Sequence, residues 1–390
     1  MNKTAVILGT CGQDASYLAE LLLEKNYKVY GMIRRSSSFN TGRIDHIRNK
    51  ITLIYGDVTD LGSIINILKR ADEENPNSQI ELYNLAAQSH VQVSCQVEKY
   101  TAEVDGIGVL YVLQAIKILK LENRVRFYQA STSELFGNTL NTHKLKILNE
   151  DSPMEPISPY AIAKLYAYHL VKYYRQAYNI FCVNGILFNH TSPRRGENFV
   201  CKKIADYFKN LKNNLQIKFG EPQTYLLKES KKIINVSSVI DLDSDEVATI
   251  NLRKNCLEIN GNYGYTPLQL GNLNATRDFG YAKDYVQGMW LMLQQEKPKD
   301  YVLSTGRRVT VREFVDMCCE NIGLGKLRWE GEGINEKGYF EDICLVEVNS
   351  KYYRPVDLTD LIGDSTKARE ELGWKETVEL EELVNIMINT

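Results

Sequence analysis

The sequence predicts an α/β fold: a Rossmann-type, doubly wound parallel sheet with a smaller, mixed α/β C-terminal part. Three observations carry this expectation. Strand-like apolar runs alternate with helical patterns over residues 1–190. A glycine-bearing loop joins the first strand to the first helix. Chemistry-bearing residues then recur just beyond strand ends, where open α/β sheets hold ligands.

The elements follow in order. Thr4–Leu8 is an apolar run ending at Gly9, and Ser16–Glu24 has helical periodicity. Lys28–Ile33, Ile51–Tyr55, Ile80–Leu85, Arg124–Ala130 and Ile180–Phe188 read as further strands. Ser63–Arg70, Glu98–Leu119 and Pro159–Tyr178 read as the helices between them. The remainder is less regular. Phe199–Leu211, Tyr281–Gln294, Val311–Asn321 and Glu379–Ile388 read as helices, and Tyr301–Ser304 as a strand. Thr310 and Glu313 have the spacing of a capping box. Residues 1–190 and 191–390 form two expected parts, some later segments returning to the first.

Composition removes several classes. Lys and Arg number 47 against 49 Asp and Glu, a net charge of -2, which argues against a nucleic-acid or acidic-lipid binder. No apolar run reaches the ~18 residues that a membrane span needs. The N-terminus leads straight into a strand with no signal-peptide pattern, so a cytoplasmic location is expected. Cys11, Cys95, Cys182, Cys201, Cys256, Cys318, Cys319 and Cys344 lack CxxC or zinc-finger spacing, and reduced thiols with no metal are expected.

Gly9-Thr-Cys-Gly12-Gln13-Asp14-Ala15 has GxxGxxA spacing between strand and helix. Gly9 suits the sharp turn, Gly12 leaves room for a pyrophosphate against backbone N–H groups, and Ala15 is small enough for close packing. An NAD site normally ends its second strand with Asp or Glu, to bond a ribose hydroxyl. This chain has Arg34-Arg35 there, whose guanidinium groups suit a 2′-phosphate, so NADP is the expected cofactor. A solvated basic turn is the plain alternative. Asp57, with Val58 beside it, is placed to meet the adenine or to cap its loop. Leu85-Ala86-Ala87-Gln88-Ser89 follows the fourth strand with small residues that allow close approach.

Tyr160 and Lys164 form a YxxxK, one turn apart on one helix face, after an N-cap at Ser158 and Pro159. A phenol ionises near ~10, and a neighbouring ammonium lowers that, so Tyr160 can take a proton from a sugar hydroxyl near neutral pH. With 24 tyrosines, YxxxK alone could arise by chance; its place after a dinucleotide loop gives it weight. Ser131-Thr132-Ser133-Glu134 follows the fifth strand. A hydroxyl from Thr132 or Ser133 would orient substrate. Glu134 is the discriminating residue. Once C4 of a sugar is a ketone, its C5 proton is acidic, and a carboxylate there can remove it while the C6 hydroxyl leaves as water.

These residues resemble an extended short-chain dehydrogenase/reductase, and within that class the GDP-mannose 4,6-dehydratases. Gly9–Leu18, Arg34–Thr41, Ala87–Val91, Tyr128–Gly137, Ser158–Tyr168, Asn184–His190, Ser192–Gly196, Arg277–Val286, Tyr353–Pro355 and Gly363–Ala368 carry the resemblance. The resemblance implies an NADP-binding domain at 1–190 and a nucleotide-sugar part at 191–390. It implies that Tyr160 is the phenolate, that Lys164 holds the nicotinamide ribose, and that Thr132 orients the C4 oxygen. Glu134 would act at C5, with Ser133 as an acid partner. Tyr100, His190 and Arg195 would join the cofactor contacts. Ser89, Asn189, Lys203, Arg277 and Arg354 would contact a GDP-sugar. Arg34–Arg43 resembles a subunit-contact segment, implying a homodimer or homotetramer.

Three departures stand out. Phe279 and Tyr281 replace a family Trp and His, and Cys95 and Gln96 replace a Phe and an acidic residue. Residues 221–269 have no expected counterpart. Within them Lys232–Val239 and Ala248–Leu252 read as strands and Asn260–Gly264 as turn chemistry. A surface hairpin is the first expectation, then a lid over the sugar pocket, then an oligomer contact. The lead function is 4,6-dehydration of GDP-D-mannose. The alternatives are the same reaction on a larger GDP sugar such as a manno-heptose, an epimerase, and a cofactor-binding regulator without catalysis.

Overall fold

The computed structural model describes residues 3–37, 40–217, 224–227, 232–235, 238–241, 247–248, 258–259, 263–264, 266–352, 358 and 360–390. The chain divides into two compact units. The first comprises Met1–Arg194, Thr276–Val309 and Leu358–Leu380, and the second Arg195–Ala275, Thr310–Asp357 and Glu381–Thr390.

The first unit holds seven parallel strands: β1 (Lys3–Leu8), β2 (Tyr27–Ile33), β3 (Thr52–Tyr55), β4 (Ile80–Asn84), β5 (Val125–Ala130), β6 (Phe181–Leu187) and β7 (Tyr301–Leu303). Their order across the sheet is β7-β6-β5-β4-β1-β2-β3. β1 pairs with β2 on one side and β4 on the other, so the winding reverses beside it. Ala5–Leu8 are fully buried, as expected of a strand covered on both faces. One face packs on α1 (Gln13–Glu24) and α5 (Ala282–Gln294), through Leu18, Leu22, Tyr285 and Met289. The other packs on α2 (Leu61–Glu73), α3 (Gly108–Ile118) and α4 (Pro159–Tyr178), through Ile64, Leu68, Val112, Leu113 and Val171. Every strand expected in residues 1–190 is present within a residue or two.

One expected helix is different. Glu98–Leu119 is not continuous: an α-helix at Glu98–Ala102 passes into a π-helix at Glu103–Ile107, and only then into α3. A Cβ on Gly106 would come within 3.3 Å of the Tyr166 ring, and one on Gly108 within 3.2 Å of Val58 O. The two glycines let this stretch lie close to α4 and to the loop after β3. A 3.6-residue apolar period carries no mark of the wider turn.

The second unit begins with the helix Val200–Asn214. After it come five antiparallel strands in the order Val247–Ala248, Ser238–Asp241, Lys232–Asn235, Thr224–Leu227 and Leu215–Ile217. The expected single strand Lys232–Val239 is therefore two, paired with Asn235 opposite Ser238. The sheet is larger than the hairpin expected. Residues 249–252 of the other expected strand lie outside the described residues. Glu258–Ile259 and Tyr263–Gly264 pair antiparallel, and residues 260–262 of the expected turn lie outside the described residues. A four-stranded sheet, ordered Leu268–Leu270, Ile343–Val348, Lys337–Phe340 and Arg328–Glu330, was not legible. Gly338 and a register shift at Gly338/Tyr339 interrupt its strand alternation.

Among the described residues no helix is long and apolar enough to cross a membrane, and seven cysteines are free. The Thr310–Glu313 capping box forms in full: Thr310 Oγ1 accepts from Glu313 N–H at 3.0 Å and Glu313 Oε2 accepts from Thr310 N–H at 2.7 Å. Thr310→Ala is expected to cost about 1 kcal/mol, read as a lower urea midpoint with an unchanged slope.

Candidate active site

The loop after β1 is shaped by one close approach. Gly9 has φ +82°, and a Cβ there would lie 2.8 Å from Ala86 Cα and N, in the loop after β4. Only glycine lets these two strand ends meet at the point where the winding reverses. Gly12 precedes α1 without any side-chain cap, and a helix start of that kind suits an anion. A Cβ on Gly12 would meet only Gly9 O at 3.3 Å and Ala15 Cβ at 4.0 Å, so that side of the loop is open. Gln13 Nε2 donates to Asp14 Oδ1 at 2.8 Å, and His190 Nε2 lies 2.9 Å from Asp14 Oδ2. His190 also stacks on Tyr285, with centroids 4.5 Å apart. The structure thus brings Gln13, Asp14 and His190 together under the loop.

Arg34 and Arg35 are exposed after β2, and Arg34 Nη1 donates to Tyr100 Oη at 2.5 Å. These two candidates, distant in sequence, meet in space. Asp57 Oδ1 accepts from Thr59 N–H at 3.0 Å and Thr59 Oγ1 at 2.9 Å, which is the capping role weighed for it. Leu85, Ala86 and Gln88 are half-buried, and Ala87 and Ser89 exposed.

The reaction-centre candidates sit at the end of β5 and the start of α4. Ser158 Oγ accepts from Ala161 N–H at 3.1 Å, with Pro159 in the first turn. Tyr160 and Lys164 are both buried, and Lys164 Nζ lies 5.8 Å from the Tyr160 ring centroid. Lys164 Nζ donates to Ala130 O at 3.1 Å, the last residue of β5. That bond ties the YxxxK helix to the segment carrying Thr132, Ser133 and Glu134. Thr132 Oγ1 accepts from Glu134 N–H at 3.2 Å and opens the short 3₁₀ helix Ser133–Phe136. Its hydroxyl hydrogen can still be directed at a substrate. Glu134 is 7% exposed, so its side chain lies in a confined setting. Gly137 ends the turn with φ +56°, and a Cβ there would fall 1.8 Å from Glu155 O.

The substrate candidates are spread over both units. Asn189 Oδ1 is buried and has no hydrogen-bond partner among the described residues. Arg277 is buried and donates to Thr276 O at 2.8 Å and Leu358 O at 3.0 Å. In the second unit Lys203 Nζ donates to Gln269 O at 2.6 Å and lies 3.9 Å from the Tyr352 ring centroid. Arg195, also there, lies over the Phe199 ring at 3.7 Å. Arg354 lies outside the described residues. Of the family departures, Phe279 is buried, Tyr281 leans edge-on to Tyr17 with centroids 6.5 Å apart, and Cys95 is exposed.

Three residues that sequence reading did not single out belong to this constellation. Ser94 Oγ accepts from Tyr160 N–H at 3.3 Å and fixes the start of α4. Arg194 reaches α1, with Nη1 3.1 Å from Ser16 Oγ and Nη2 2.6 Å from Glu20 Oε1. Asp105, in the π-helix, lies 3.5 Å from Lys164 Nζ and accepts from Gln88 N–H at 3.2 Å. Burial pushes the Asp105 carboxyl up to about 6, against the pull of the Lys164 ammonium. A lone Asp inside a helical run gives no signal of this in sequence.

A sequence model of the GDP-mannose 4,6-dehydratase family matches residues 6–224 and 247–387. The chain belongs to the GDP-mannose 4,6-dehydratase family. It is 43% identical to GDP-mannose 4,6 dehydratase 2 of Caenorhabditis elegans over 396 residues, covering 99% of this chain and 88% of the relative. It is also 43% identical to GDP-mannose 4,6 dehydratase of Homo sapiens over 397 residues, covering 99% and 91%. Among solved structures, a UDP-glucose 4-epimerase of Thermus thermophilus in complex with NAD superposes with a TM-score of 0.70 at 19% identity, covering 99% and 98%. That likeness supports the Rossmann-type fold. The stretch that the GDP-mannose 4,6-dehydratase model leaves out, 225–246, is shorter than the 221–269 expected to lack a counterpart.

Gly137→Ala should unfold or displace the Ser131–Gly137 turn. Strain of this kind costs about 1–3 kcal/mol or more, so a lower thermal midpoint with lost activity is expected. An unchanged midpoint would show that the turn tolerates a side chain.

Proposed function

We propose that this chain converts GDP-D-mannose to GDP-4-keto-6-deoxy-D-mannose, a lyase reaction with NADP as cofactor. The observation that carries the reading is the bond from Lys164 to Ala130 O, which ties Tyr160 and Lys164 to the Thr132–Glu134 turn. A simple oxidoreductase needs the phenol and the ammonium; only an elimination at C5 needs the carboxylate as well. The curated relatives carry the dehydratase name, and they do not favour a larger sugar.

The residues present fit a nicotinamide dinucleotide. The uncapped start of α1 and the open side of Gly12 suit a pyrophosphate. Ser131 Oγ is buried without a hydrogen-bond partner among the described residues, beside Lys164 and its Ala130 anchor. Gly9, Gly12, Gln13, Asp14, Asp57, Val58, Leu85–Ser89, Tyr100, Lys164, His190 and Arg195 would hold the cofactor, and Arg34 and Arg35 its 2′-phosphate. The chemistry that a bound nicotinamide dinucleotide supplies is a hydride acceptor and donor used within one turnover, with no net redox.

The chain's own groups do the rest. Tyr160 as phenolate takes the C4 hydroxyl proton, helped by the Lys164 charge. Thr132 donates to the C4 oxygen and orients it. The C4 ketone acidifies C5, where Glu134 removes the proton, and Ser133 assists departure of the C6 hydroxyl as water. Ser89, Asn189, Lys203, Arg277 and Arg354 hold the nucleotide-sugar, the arginines suiting its diphosphate. A homodimer or homotetramer belongs to the same proposal, supported by the resemblance of Arg34–Arg43 to a subunit-contact segment, and light scattering checks it.

Incubation with GDP-mannose, followed by NMR, should yield the 4-keto-6-deoxy product; no conversion overturns the reading. Glu134→Gln should abolish water loss while the protein still binds NADP. Arg34→Ala should weaken NADP about 10–100-fold, from loss of a charge-assisted bond of ~1.5–3 kcal/mol, and leave NAD affinity nearly unmoved. Equal loss for both cofactors would reject the 2′-phosphate role.

A further inference from the structure

One buried carboxylate beside the reaction centre has no part in the chemistry just given. Asp105 is 1% exposed and sits in the π-helix, where the widened turn accompanies its inward placement. Its two oxygens face two different elements. Oδ2 accepts from Gln88 N–H at 3.2 Å, in the loop after β4, and Oδ1 stands 3.5 Å from Lys164 Nζ on α4. The ammonium is held from β5 by Ala130 O at 3.1 Å, a carbonyl that also accepts from Gln129 Nε2 at 2.8 Å. Lys164 is therefore fixed between a strand end and a carboxylate.

Stability does not explain this carboxylate. Burying an ion pair returns little net free energy, because both partners lose their hydration. An asparagine could also accept the Gln88 bond, though it would leave the buried Lys164 ammonium without a counter-charge. What an asparagine cannot do is oppose the lysine's charge. Among the described residues, the charged group acting on Asp105 is Lys164 from α4, whose ammonium lies 5.8 Å from the Tyr160 ring centroid. Lys99, from the helix before it, and Glu103, from the same π-helix, pair with each other at the exposed surface.

We propose that Asp105 is a positioning residue that acts through Lys164, holding the ammonium in place and setting how strongly its charge favours the Tyr160 phenolate. This rests on the roles given to Tyr160 and Lys164 above. The sign follows from charge. An ammonium lowers the pH at which the phenol ionises, and a paired carboxylate offsets part of that effect. Removing the negative charge should therefore make Tyr160 ionise at lower pH.

The test compares wild type, Asp105→Asn, Asp105→Glu and Tyr160→Phe. Tyrosinate formation is followed by ultraviolet difference titration of the protein without added cofactor, the Tyr160 step being the one lost in Tyr160→Phe. The acid limb of kcat/KM for GDP-mannose is measured in parallel. In Asp105→Asn both the tyrosinate step and the acid limb should move down by about one pH unit. Asp105→Glu, which keeps the charge, should leave both near the wild-type position. In a Lys164→Met background Asp105→Asn should add no further shift. An unmoved tyrosinate step in Asp105→Asn, with only a lower thermal midpoint, overturns the proposal. So does a moved step in Asp105→Glu, which decides the matter if Asp105→Asn does not fold. If wild type does not dehydrate GDP-mannose, the proposed function fails while the titration still tests Asp105.

Discussion

The close approach of Gly9 to Ala86 is the constraint on which the rest of the first unit depends. It occurs where β1 and β4 lie side by side and the winding of the sheet reverses. Without a Cβ the loop after β1 can lie against the loop after β4, and α1 can begin at once, uncapped. The chain then carries Gln88 from the second loop onto Asp105, and Asp105 onto Lys164. A backbone contact between two strand ends is thus linked, through the contact of Gln88 with Asp105 and that of Asp105 with Lys164, to the lysine of the YxxxK helix.

Much of this was legible because local patterns and global fold agree. β1, β2, β4, β5 and β6 are mostly buried on both faces, and such runs announce themselves, while β3, at the sheet edge, buries only Ile54. Ser158, Pro159, Thr310 and Glu313 are helix-start signals that act within one turn, and all four act as read. The pairing of Tyr160 with Lys164 needed only helix geometry. Asp105 and Ser94 were not legible, because their partners lie on other elements. Asp105 meets Lys164 across 59 positions of sequence by way of a π-turn that hydrophobic periodicity does not encode. Arg194 and Arg195 illustrate a finer limit. They are adjacent and chemically alike, yet one reaches Ser16 and Glu20 while the other lies over Phe199.

The second unit was harder for a related reason. Its strands pair mostly antiparallel, Leu268–Leu270 with Ile343–Val348 being a parallel pair, and they are short and interrupted by glycine, as at Gly338. Half-buried strands of three or four residues give too few alternations to separate from loops. The five-strand meander is built from sequential neighbours, each strand pairing with the one before it. The family model resumes at 247, so most of that meander, and not all of it, is where this chain differs from its relatives.

The meander and the parallel sheet also differ in when they can form. Each meander strand finds its partner a few residues away, at small loop-closure cost. The last place in the parallel sheet belongs to β7, whose Tyr301 pairs with Gly185 of β6. Asp300, just before it, accepts the backbone N–H and side-chain amide of Asn184, at a separation of 116 residues. During synthesis β6 is therefore an open sheet edge until the chain has grown past residue 303. A mostly apolar strand with one edge left open for so long is a place where wrong partners can add, and a surface of the kind chaperones cover.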